Sequence, residues 1–256
     1  MANNKSPIIF IPARAGSKSI RHKNLSDVGG VPLLLNSIIT SIDAGYSPVV
    51  SSDSDYYLSI ANQFKECIIH KRPKIQATDV SVVWDAVIDF LQPKTFNESD
   101  ICILYEPTSP FVIDKDLRDM VTLMEKNSRS NYITNLSEIP ATQSYINQRL
   151  LTEYSRASFI FKERYNIDFK QQTRKTFCFG NLHGIRLSFL KKQIIPYEMP
   201  YNIIPFIRSL SIDSQEDLDL ASAIALGNHP SISKKFSMLT DYLYKNSIDM
   251  PRDSIY

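Results

Sequence analysis

Short apolar segments alternate with amphipathic segments along most of this chain. The apolar segments, such as residues 7–11 (PIIFI) and 48–52 (PVVSS), are rich in β-branched residues and short enough to be buried strands. The amphipathic segments repeat apolar residues at helical spacing, as at positions 83, 86, 87, 90 and 91. Strands are therefore predicted at residues 7–11, 48–52, 67–70, 100–105, 131–136 and 209–213, with a further apolar run at 182–189. Helices are predicted at residues 32–43, 56–65 and 114–127, from a cap at Thr78 and Asp79 through residue 91, and from Ser214 to just before Gly227.

Strands that alternate with helices are typical of an open α/β sheet with helices on both faces. We predict that residues 1–256 form a single domain of this class. Ligands of such sheets bind beyond the carboxyl ends of the strands. The loops after Ile11, Ser52 and Tyr105, and the segments near residues 184 and 213, are therefore the candidate site.

Residues 137–178 interrupt this pattern. They lack clean periodicity and are rich in Gln, Asn, Arg and aromatic residues, so we predict an excursion from the sheet that forms an extended hairpin, a lid or an oligomer arm. The tail, residues 228–256, is polar with one amphipathic stretch around 235–245. The aromatic side chains of the excursion predict an apolar surface that needs cover; they are Tyr154, Phe159, Phe161, Tyr165 and Phe169.

The composition excludes several classes of protein. The 256 residues carry 29 Lys and Arg against 27 Asp and Glu, a net charge of +2, which argues against nucleic acid as a partner. The three cysteines, Cys67, Cys102 and Cys178, have no metal-ligand spacing and are interpreted as buried free thiols of a reducing compartment. The first apolar run is too short for a signal peptide or a membrane span, so we expect a cytoplasmic protein with no membrane partner.

The loop after the first predicted strand carries the clearest chemistry. Residues 12–24 (PARAGSKSIRHKN) combine four cations with Gly16, which lets the backbone approach a ligand closely. Cations and backbone N–H groups together suit a polyphosphate. Neither a Walker A motif nor a GxGxxG motif is present. On composition alone, a solvated basic loop remains an equal alternative.

The segment IPARAGSKSIRHKNL resembles the amino-terminal signature of the CMP-sugar synthetases, the acylneuraminate and nonulosonate cytidylyltransferases. In that family this loop wraps the CTP triphosphate. The resemblance implies phosphate contacts for Arg14, Ser17, Lys18 and Lys23, and a nucleotide contact for Asn24. It also implies catalytic roles for Arg14 and Lys23.

Further segments resemble the family in the same order, and together they cover roughly residues 7–225. They are residues 51–55 (SSDSD), 72–79 (RPKIQATD), 106–110 (EPTSP), 181–185 (NLHGI) and 211–218 (SIDSQEDL). The resemblance implies that Arg72 contacts the cytosine base, that Asp79 binds the nucleotide and that Asp213 is catalytic and holds the metal. It implies a set of acceptor-binding residues: Glu106, Thr108, Ser109, Arg174, His183 and Gly184.

The resemblance implies a reaction and a fold. The reaction is transfer of CMP from CTP to a small acidic sugar, a nonulosonic acid similar to sialic acid, with release of pyrophosphate and with Mg²⁺ as cofactor. The implied fold is a three-layer, Rossmann-like nucleotidyltransferase fold similar to the GT-A fold, with a mostly parallel sheet. The excursion at residues 137–178 would serve as a lid or as the arm of a homodimer.

Several positions depart from the family pattern. The family has two metal-binding aspartates, but here Ser211 stands at the first position and Asp213 alone remains. Glu106, where sialate enzymes have Gln, could supply a second metal-binding carboxylate, contact a sugar hydroxyl or cap its strand. Arg186 replaces a tyrosine and could lie near the acceptor or on the surface.

Polar positions of the family pattern are lost at Val112 and at Val82 and Val83. The departures keep two alternatives open: a catalytically silent homologue that binds nucleotide or serves in an assembly, and a CMP-Kdo synthetase-like or other nucleotidyltransferase. His183 could bind the sugar or be structural, and Trp84 is predicted to pack in the core or an interface rather than stack on a ligand.

Overall fold

The computed structural model describes residues 6–78, 81–92, 96–153, 156–162, 174–227 and 229–251 of the 256-residue chain. The strands are β1 (Ile8–Pro12), β2 (Asp27–Val28), β3 (Val31–Pro32), β4 (Pro48–Ser52), β5 (Ile68–Lys71), β6 (Ile101–Leu104), β7 (Tyr132–Glu138), β8 (Arg149–Thr152), β9 (Arg156–Phe159), β10 (Phe177–Arg186) and β11 (Tyr201–Ile204). The α-helices are α1 (Leu33–Asp43), α2 (Asp55–Ala61), α3 (Val83–Leu91), α4 (Asp114–Lys126), α5 (Gln215–Leu226) and α6 (Pro230–Lys245).

Seven strands form the main sheet, in the order β11-β7-β10-β6-β1-β4-β5. The chain first extends the sheet from β1 through β4 to β5 and then returns to place β6 on the other side of β1. These pairings are parallel, whereas β10 runs antiparallel to both β6 and β7. The reversal of direction beside β1 creates a crevice at the carboxyl ends of β1 and β6, where ligands of open α/β sheets bind.

Two apolar layers cover the two faces of the sheet. Alternate residues of β1 face opposite ways, so Ile9 and Ile11 pack in one cluster while Phe10 packs in the other. The first cluster includes buried residues of α1, α4 and α6, and the second includes buried residues of α3. This three-layer α/β arrangement confirms the predicted fold class. Trp84 packs edge-on against Phe189, 5.5 Å between ring centres, which confirms its predicted place in the core.

The structure corrects two of the predicted elements, the start of α3 and the strand at residues 209–213. Helix α3 begins at Val83, not at the predicted cap: the Thr78 hydroxyl lies 2.6 Å from that of Ser81 and is used in a turn. Asp79 lies outside the described residues. The predicted strand at residues 209–213 is wrong, because this segment follows a 3-10 helix at Phe206–Ser209 and crosses the end of the sheet without joining a ladder.

The excursion contains the predicted hairpin, formed by β8 and β9. Tyr154, Tyr165 and Phe169 lie outside the described residues. The sequence pattern missed β11, a four-residue edge strand between Pro200 and Pro205 that pairs in parallel with β7. Prolines at both ends suit an edge strand, but they conceal it in a pattern search.

Cys67, Cys102 and Cys178 are free thiols as predicted, but only Cys102 is fully buried, whereas Cys67 and Cys178 are partly exposed. Burial raises the pKa of both Cys67 and Cys102 to about 12. Within the described ranges no helix combines the length and the apolar composition needed to cross a membrane.

Candidate active site

A cavity of about 310 Å³ opens at the carboxyl ends of β1, β5 and β6. Its position is the one that the sheet topology selects for a ligand. Its wall is mostly polar and brings together residues from segments far apart in sequence. The lining residues are Pro12, Arg14, Ser17, Lys23, Asn24, Arg72, Gln76, Thr78, Ser81, Val83, Glu106, Pro107, Thr108, Ser211 and Asp213.

The loop after β1 is held in place by hydrogen bonds at both ends. The Ala15 N–H donates to Asp53 Oδ1 at 2.9 Å, and Asn24 Nδ2 donates to the Arg14 carbonyl oxygen at 2.9 Å. His22 adopts a left-handed conformation (φ 52°) that turns the chain into a 3-10 helix at Lys23–Leu25. Asn24 therefore braces the loop while also lining the cavity, a role that the sequence did not reveal.

Lys23 joins the loop to the segment before α5. Its Nζ donates to the carbonyl oxygen of Ile212 at 2.9 Å and lies 3.2 Å from Asp213 Oδ1. The Lys23 side chain is 15% exposed, whereas that of Asp213 is 79% exposed. The ammonium group is thus fixed in the wall, and the Asp213 carboxylate remains accessible to a ligand or a cation.

The segment that carries Asp213 is anchored from three sides. The Ile212 N–H donates to the Thr108 carbonyl oxygen at 2.9 Å, and Arg208 Nη1 donates to the buried Asp116 Oδ1 at 2.8 Å. The Asp217 carboxylate accepts hydrogen bonds from the backbone N–H groups of Asp213 and Ser214, which holds its pKa below the usual range. These contacts replace the strand pairing that the sequence predicted.

Glu106 is the second carboxylate of the cavity. Burial raises its pKa above the ordinary value, the negative charge of Asp213 raises it further, and Lys23 opposes both effects. Glu106 and Asp213 both line the cavity. Oxygen ligands of this kind suit Mg²⁺.

Arg72 lines the cavity immediately after β5, two strands away from β1 in the sheet. Its side chain is buried, its Nε donates to Ser51 Oγ at 3.1 Å, and its Nη2 donates to the Ser51 carbonyl oxygen at 3.4 Å. Burial lowers its pKa to about 10, Asp53 opposes that change and Arg14 adds to it. Arg72 therefore keeps its positive charge at neutral pH while it lines the cavity.

The structure brings together most of the residues predicted from sequence. Arg14, Ser17, Lys23, Asn24, Arg72, Glu106, Thr108 and Asp213 all line the cavity. Lys18 is exposed on the same loop but is not part of the lining, and Asp79 is not described. Ser109 lies buried behind the wall, where its N–H donates to the Glu106 carbonyl oxygen at 3.0 Å.

Three predicted acceptor residues lie away from the cavity. Arg174 is exposed at the start of the segment that leads into β10. Gly184 faces the core, where an added Cβ would lie 2.7 Å from Ile133, so this position needs glycine for packing. His183 faces the other layer, where it stacks on Phe179 at 4.0 Å between ring centres and its Nδ1 bonds to the Tyr132 hydroxyl.

His183 should make the protein less stable in acid. Burial lowers its pKa to about 4, whereas the unfolded chain has an ordinary value of about 6.5. Between these values the unfolded state binds more protons, so lowering the pH from about 7 to about 4 should reduce the free energy of unfolding by about 3 kcal/mol. Urea unfolding of the wild type and of His183→Phe across this range checks the prediction. Equal pH dependence in the two proteins would contradict it.

Arg186 is a structural residue. Its Nη1 donates to the carbonyl oxygen of Ser99 at 2.8 Å and its Nη2 donates to that of Met124 at 2.7 Å. It ties the end of α4 to the start of β6, on the far side of the sheet from the cavity opening. Of the two alternatives for Arg186, the structure therefore excludes the one beside the acceptor.

Sequence reasoning missed part of the wall beside Arg72. Gln76, Thr78 and Ser81 line the cavity there, and Val83 adds an apolar surface. All four follow Arg72-Pro73 within about ten residues. The family-like segment at residues 72–79 could therefore have pointed to them, because neighbours of a predicted base-binding arginine are themselves candidates for the cavity wall. The whole arrangement combines three cations, two carboxylates and several neutral hydrogen-bonding groups, which suits a ligand with a polyphosphate and a polar ring.

Comparison with known proteins places these residues in a family. The model of the cytidylyltransferase family matches residues 8–246 of this chain. A CMP-N,N'-diacetyllegionaminic acid synthase of Legionella pneumophila is 33% identical over 129 residues, which is 48% of this chain and 55% of that protein. An N-acylneuraminate cytidylyltransferase of Streptococcus agalactiae is 26% identical over 199 residues, which is 68% of this chain and 48% of that protein. The chain thus spans about half the length of these two curated relatives.

A relative of similar size aligns almost throughout. A pseudaminic acid cytidylyltransferase of Campylobacter jejuni is 25% identical over 233 residues, which is 88% of this chain and 98% of that protein. Among solved structures, a CMP:2-keto-3-deoxy-manno-octonic acid synthetase in complex with CTP superposes with a TM-score of 0.63 at 14% identity, covering 86% of this chain and 98% of the other. A 4-diphosphocytidyl-2C-methyl-D-erythritol synthase superposes with a TM-score of 0.61 at 13% identity, covering 87% of this chain and 99% of the other. These two likenesses confirm the fold.

Proposed function

Because this chain belongs to the cytidylyltransferase family, we propose that it transfers CMP from CTP to a nonulosonic acid and releases pyrophosphate. The observation that carries the proposal is the cavity itself. Arg14 and Lys23 line it from the loop after β1, and Arg72 lines it from the end of β5, two strands away, together with the neutral side chains of Gln76, Thr78 and Ser81. This distribution of cations suits a nucleotide whose triphosphate meets the loop after β1 and whose base meets the residues after β5.

The chemistry requires positioning and charge neutralisation. A hydroxyl oxygen of the acid attacks the α-phosphorus of CTP, the bond to the bridging oxygen of the β-phosphate breaks, and the hydroxyl proton leaves to solvent. Negative charge spreads over the phosphate oxygens in the transition state. Arg14 and Lys23 stabilise that charge, and the bond from Lys23 to the Ile212 carbonyl oxygen holds the ammonium group in place beforehand.

We propose Mg²⁺ as the cofactor, held by Asp213 and Glu106. The two carboxylates that line the cavity support this assignment, because Mg²⁺ is usually bound by one or two carboxylates together with substrate phosphates. No group of three or more His, Cys, Asp and Glu residues with metal-site geometry occurs among the described residues, so phosphate oxygens would have to complete the shell. When bound, Mg²⁺ would neutralise part of the triphosphate charge.

The relatives support an acidic nine-carbon sugar as the acceptor. Those described above are named for legionaminic, neuraminic and pseudaminic acids. The open side of the cavity, beside Glu106 and Thr108, is the place where an acceptor would meet the α-phosphate. We assign no guanidinium to its carboxylate, since Arg174 lies outside the cavity lining. A cytoplasmic setting suits a CTP-dependent enzyme with free cysteines.

We also propose a homodimer, formed through an apolar face of the sheet. Leu136, Phe179 and Ile203 lie side by side in register on β7, β10 and β11, and Tyr201 extends the face. Phe179, Tyr201 and Ile203 are 40%, 54% and 58% exposed. Apolar side chains grouped in this way are typical of protein interfaces.

Ile203→Lys should convert the dimer to a monomer of 29.2 kDa, because a charge at the centre of an apolar interface is unpaired and desolvated. Light scattering after size exclusion measures the mass. Leu226→Lys, at an exposed position on α5, is the matched control and should remain dimeric. A wild-type protein that is monomeric at every concentration would contradict the proposal.

A nucleotide panel tests the proposed function without knowledge of the acceptor. Thermal unfolding is followed with CTP, UTP, ATP or GTP, each with Mg²⁺ and with EDTA. At 100 times its dissociation constant a ligand adds about 2.7 kcal/mol, so the unfolding midpoint should rise by several degrees with CTP and Mg²⁺. Pyrophosphate release with a panel of nonulosonic acids follows. Binding of CTP without turnover on any acid would favour the silent homologue, and a shift with another nucleotide alone would overturn the choice of CTP.

A further inference from the structure

A buried histidine lies next to the cavity wall but is not part of it. His70, on β5, is packed between Phe10 and Phe90, with its ring centre 6.2 Å and 5.5 Å from theirs. Its side chain is 10% exposed. Its Nε2 lies 3.0 Å from Asp89 Oδ2 on α3, and its Nδ1 lies 2.9 Å from Ser51 Oγ on β4. Both ring nitrogens are therefore hydrogen-bonded to groups of neighbouring elements.

The donors and acceptors of this chain of contacts can be assigned one by one. Arg72 Nε–H can only donate, so Ser51 Oγ accepts from it at 3.1 Å. The Asp89 carboxylate can only accept when ionised, so His70 Nε2 carries a proton. If His70 is neutral, its bare Nδ1 then accepts the hydrogen of the Ser51 hydroxyl. Every group in the chain of contacts is satisfied in this one arrangement.

This arrangement fixes the orientation of the Ser51 hydroxyl group toward Arg72. Ser51 is fully buried, so its hydroxyl cannot turn to water. With the hydrogen directed at His70, the lone pairs of Ser51 Oγ are available to Arg72 Nε. With a proton on His70 Nδ1, Ser51 Oγ would accept from both His70 Nδ1 and Arg72 Nε, because a hydroxyl oxygen has two lone pairs, and the buried Ser51 hydrogen would lose its acceptor. The tautomer of His70 therefore decides whether the Ser51 hydroxyl is fixed in the orientation that holds Arg72.

Arg72 makes its side-chain hydrogen bonds through Nε and Nη2, both to Ser51. Its Nη1 has no hydrogen-bond partner within the part of the chain that the structure describes, and the residue lines the cavity. The guanidinium group is thus anchored on one edge and available on the other. An anchored donor loses little freedom when it binds a ligand.

We propose that His70, with its tautomer set by Asp89, is a positioning residue that orients Arg72 through Ser51 for recognition of the nucleotide base. The inference rests on the proposed function for the identity of the ligand. It adds two residues, His70 and Asp89, that touch no substrate. Their effect should be confined to the base end of the ligand, because the triphosphate end contacts the loop after β1 instead.

Calorimetry with two ligands separates this role from a general structural one. The ligands are CTP and inorganic tripolyphosphate, both with Mg²⁺. His70→Phe keeps the ring shape but offers Ser51 no acceptor, and it should weaken CTP binding about tenfold while leaving tripolyphosphate binding unchanged. His70→Asn can place its Oδ1 near the position of Nδ1 and should restore most of the CTP affinity. Equal weakening of both ligands, or none of either, would overturn the proposal.

A pair of apolar variants tests the tautomer itself. Asp89→Leu is close to aspartate in size and removes the acceptor from Nε2, so the ring proton is no longer held there, and CTP binding should weaken about as much as in His70→Phe. Asp85→Leu, at an exposed position on the same helix, is the matched control and should bind CTP as the wild type does. Unaltered CTP affinity in Asp89→Leu would overturn the proposed role.

Nitrogen NMR keeps the inference separate from the proposed function. The ¹⁵N shifts of His70 in the wild type report which ring nitrogen carries the proton, with or without ligand. A proton on Nε2 supports the arrangement even if the wild type fails to bind CTP, in which case the proposed function fails alone. A proton on Nδ1 in the wild type overturns the inference and leaves the proposed function standing.

Discussion

Lys23→Met should reduce kcat/KM for CTP by about 10²- to 10³-fold, the usual cost of removing one donor to a developing negative charge. The Nζ of Lys23 is fixed between the Ile212 carbonyl oxygen and Asp213, so no other side chain can take its place without moving the segment before α5. Because the methylene groups of the side chain are retained, the wall should keep its packing. Steady-state pyrophosphate release measures the loss.

The loss should fall mainly on kcat, since the interaction strengthens as charge develops in the transition state. Lys115→Met is the control, because Lys115 is an exposed lysine that pairs with Asp119 on α4 and lies outside the cavity. It should retain wild-type kinetics. A Lys23→Met enzyme with normal kcat would remove Lys23 from the catalytic residues.

Glu106→Gln and Asp213→Asn should raise the Mg²⁺ concentration needed for half-maximal activity, each by at least about 10-fold. Both substitutions keep the shape of the side chain and remove one negative charge. The Asp213 substitution should have the larger effect, because its carboxylate is the more exposed and the closer to Lys23. Activity is measured against Mg²⁺ concentration at saturating CTP.

One result would change this assignment. An unchanged Mg²⁺ requirement in Glu106→Gln would leave Glu106 to contact the acceptor and Asp213 as the one carboxylate for the metal. Glu98→Gln, which alters an exposed carboxylate paired with Lys191, should leave the requirement unchanged and controls for bulk charge. Restoring an acid at Ser211 should lower the requirement if the family pattern of two aspartates applies here.

The local sequence pattern predicted an element correctly where the element is stabilised mainly by its own apolar residues. Strand β4 occupies residues 48–52 as predicted, and α4 occupies 114–126 against a prediction of 114–127. Apolar alternation and helical spacing determine such elements because burial of one face stabilises them wherever they lie. The polar residues that follow β1, β5 and β6 could likewise be picked out as site candidates before their positions were known.

The pattern failed where a distant partner decides the conformation. Residues 209–213 are β-branched in part and apolar in alternation, yet Arg208, Ile212 and Lys23 hold them across the end of the sheet through contacts with Asp116, Thr108 and Asp213. Strand β11 is only four residues long, and it is identified as a strand by its hydrogen-bonded pairing with β7, which the local sequence does not reveal. His183 and Gly184 seemed to belong to the site because of their motif, but alternation along β10 turns them to opposite faces of the sheet, His183 against Tyr132 and Gly184 against Ile133.

The sequence by itself determined most of the strands and helices before residue 137, the layered α/β class and most of the polar residues at the strand ends. It could do so because hydrophobic periodicity and turn chemistry act over a few residues. Only the tertiary structure decided which of those polar residues meet. Lys23 and Asp213 are 190 positions apart, and Ser51, His70 and Asp89 come from a strand, its neighbour and a covering helix. Such contacts depend on strand order and register, which residue spacing along the chain does not specify.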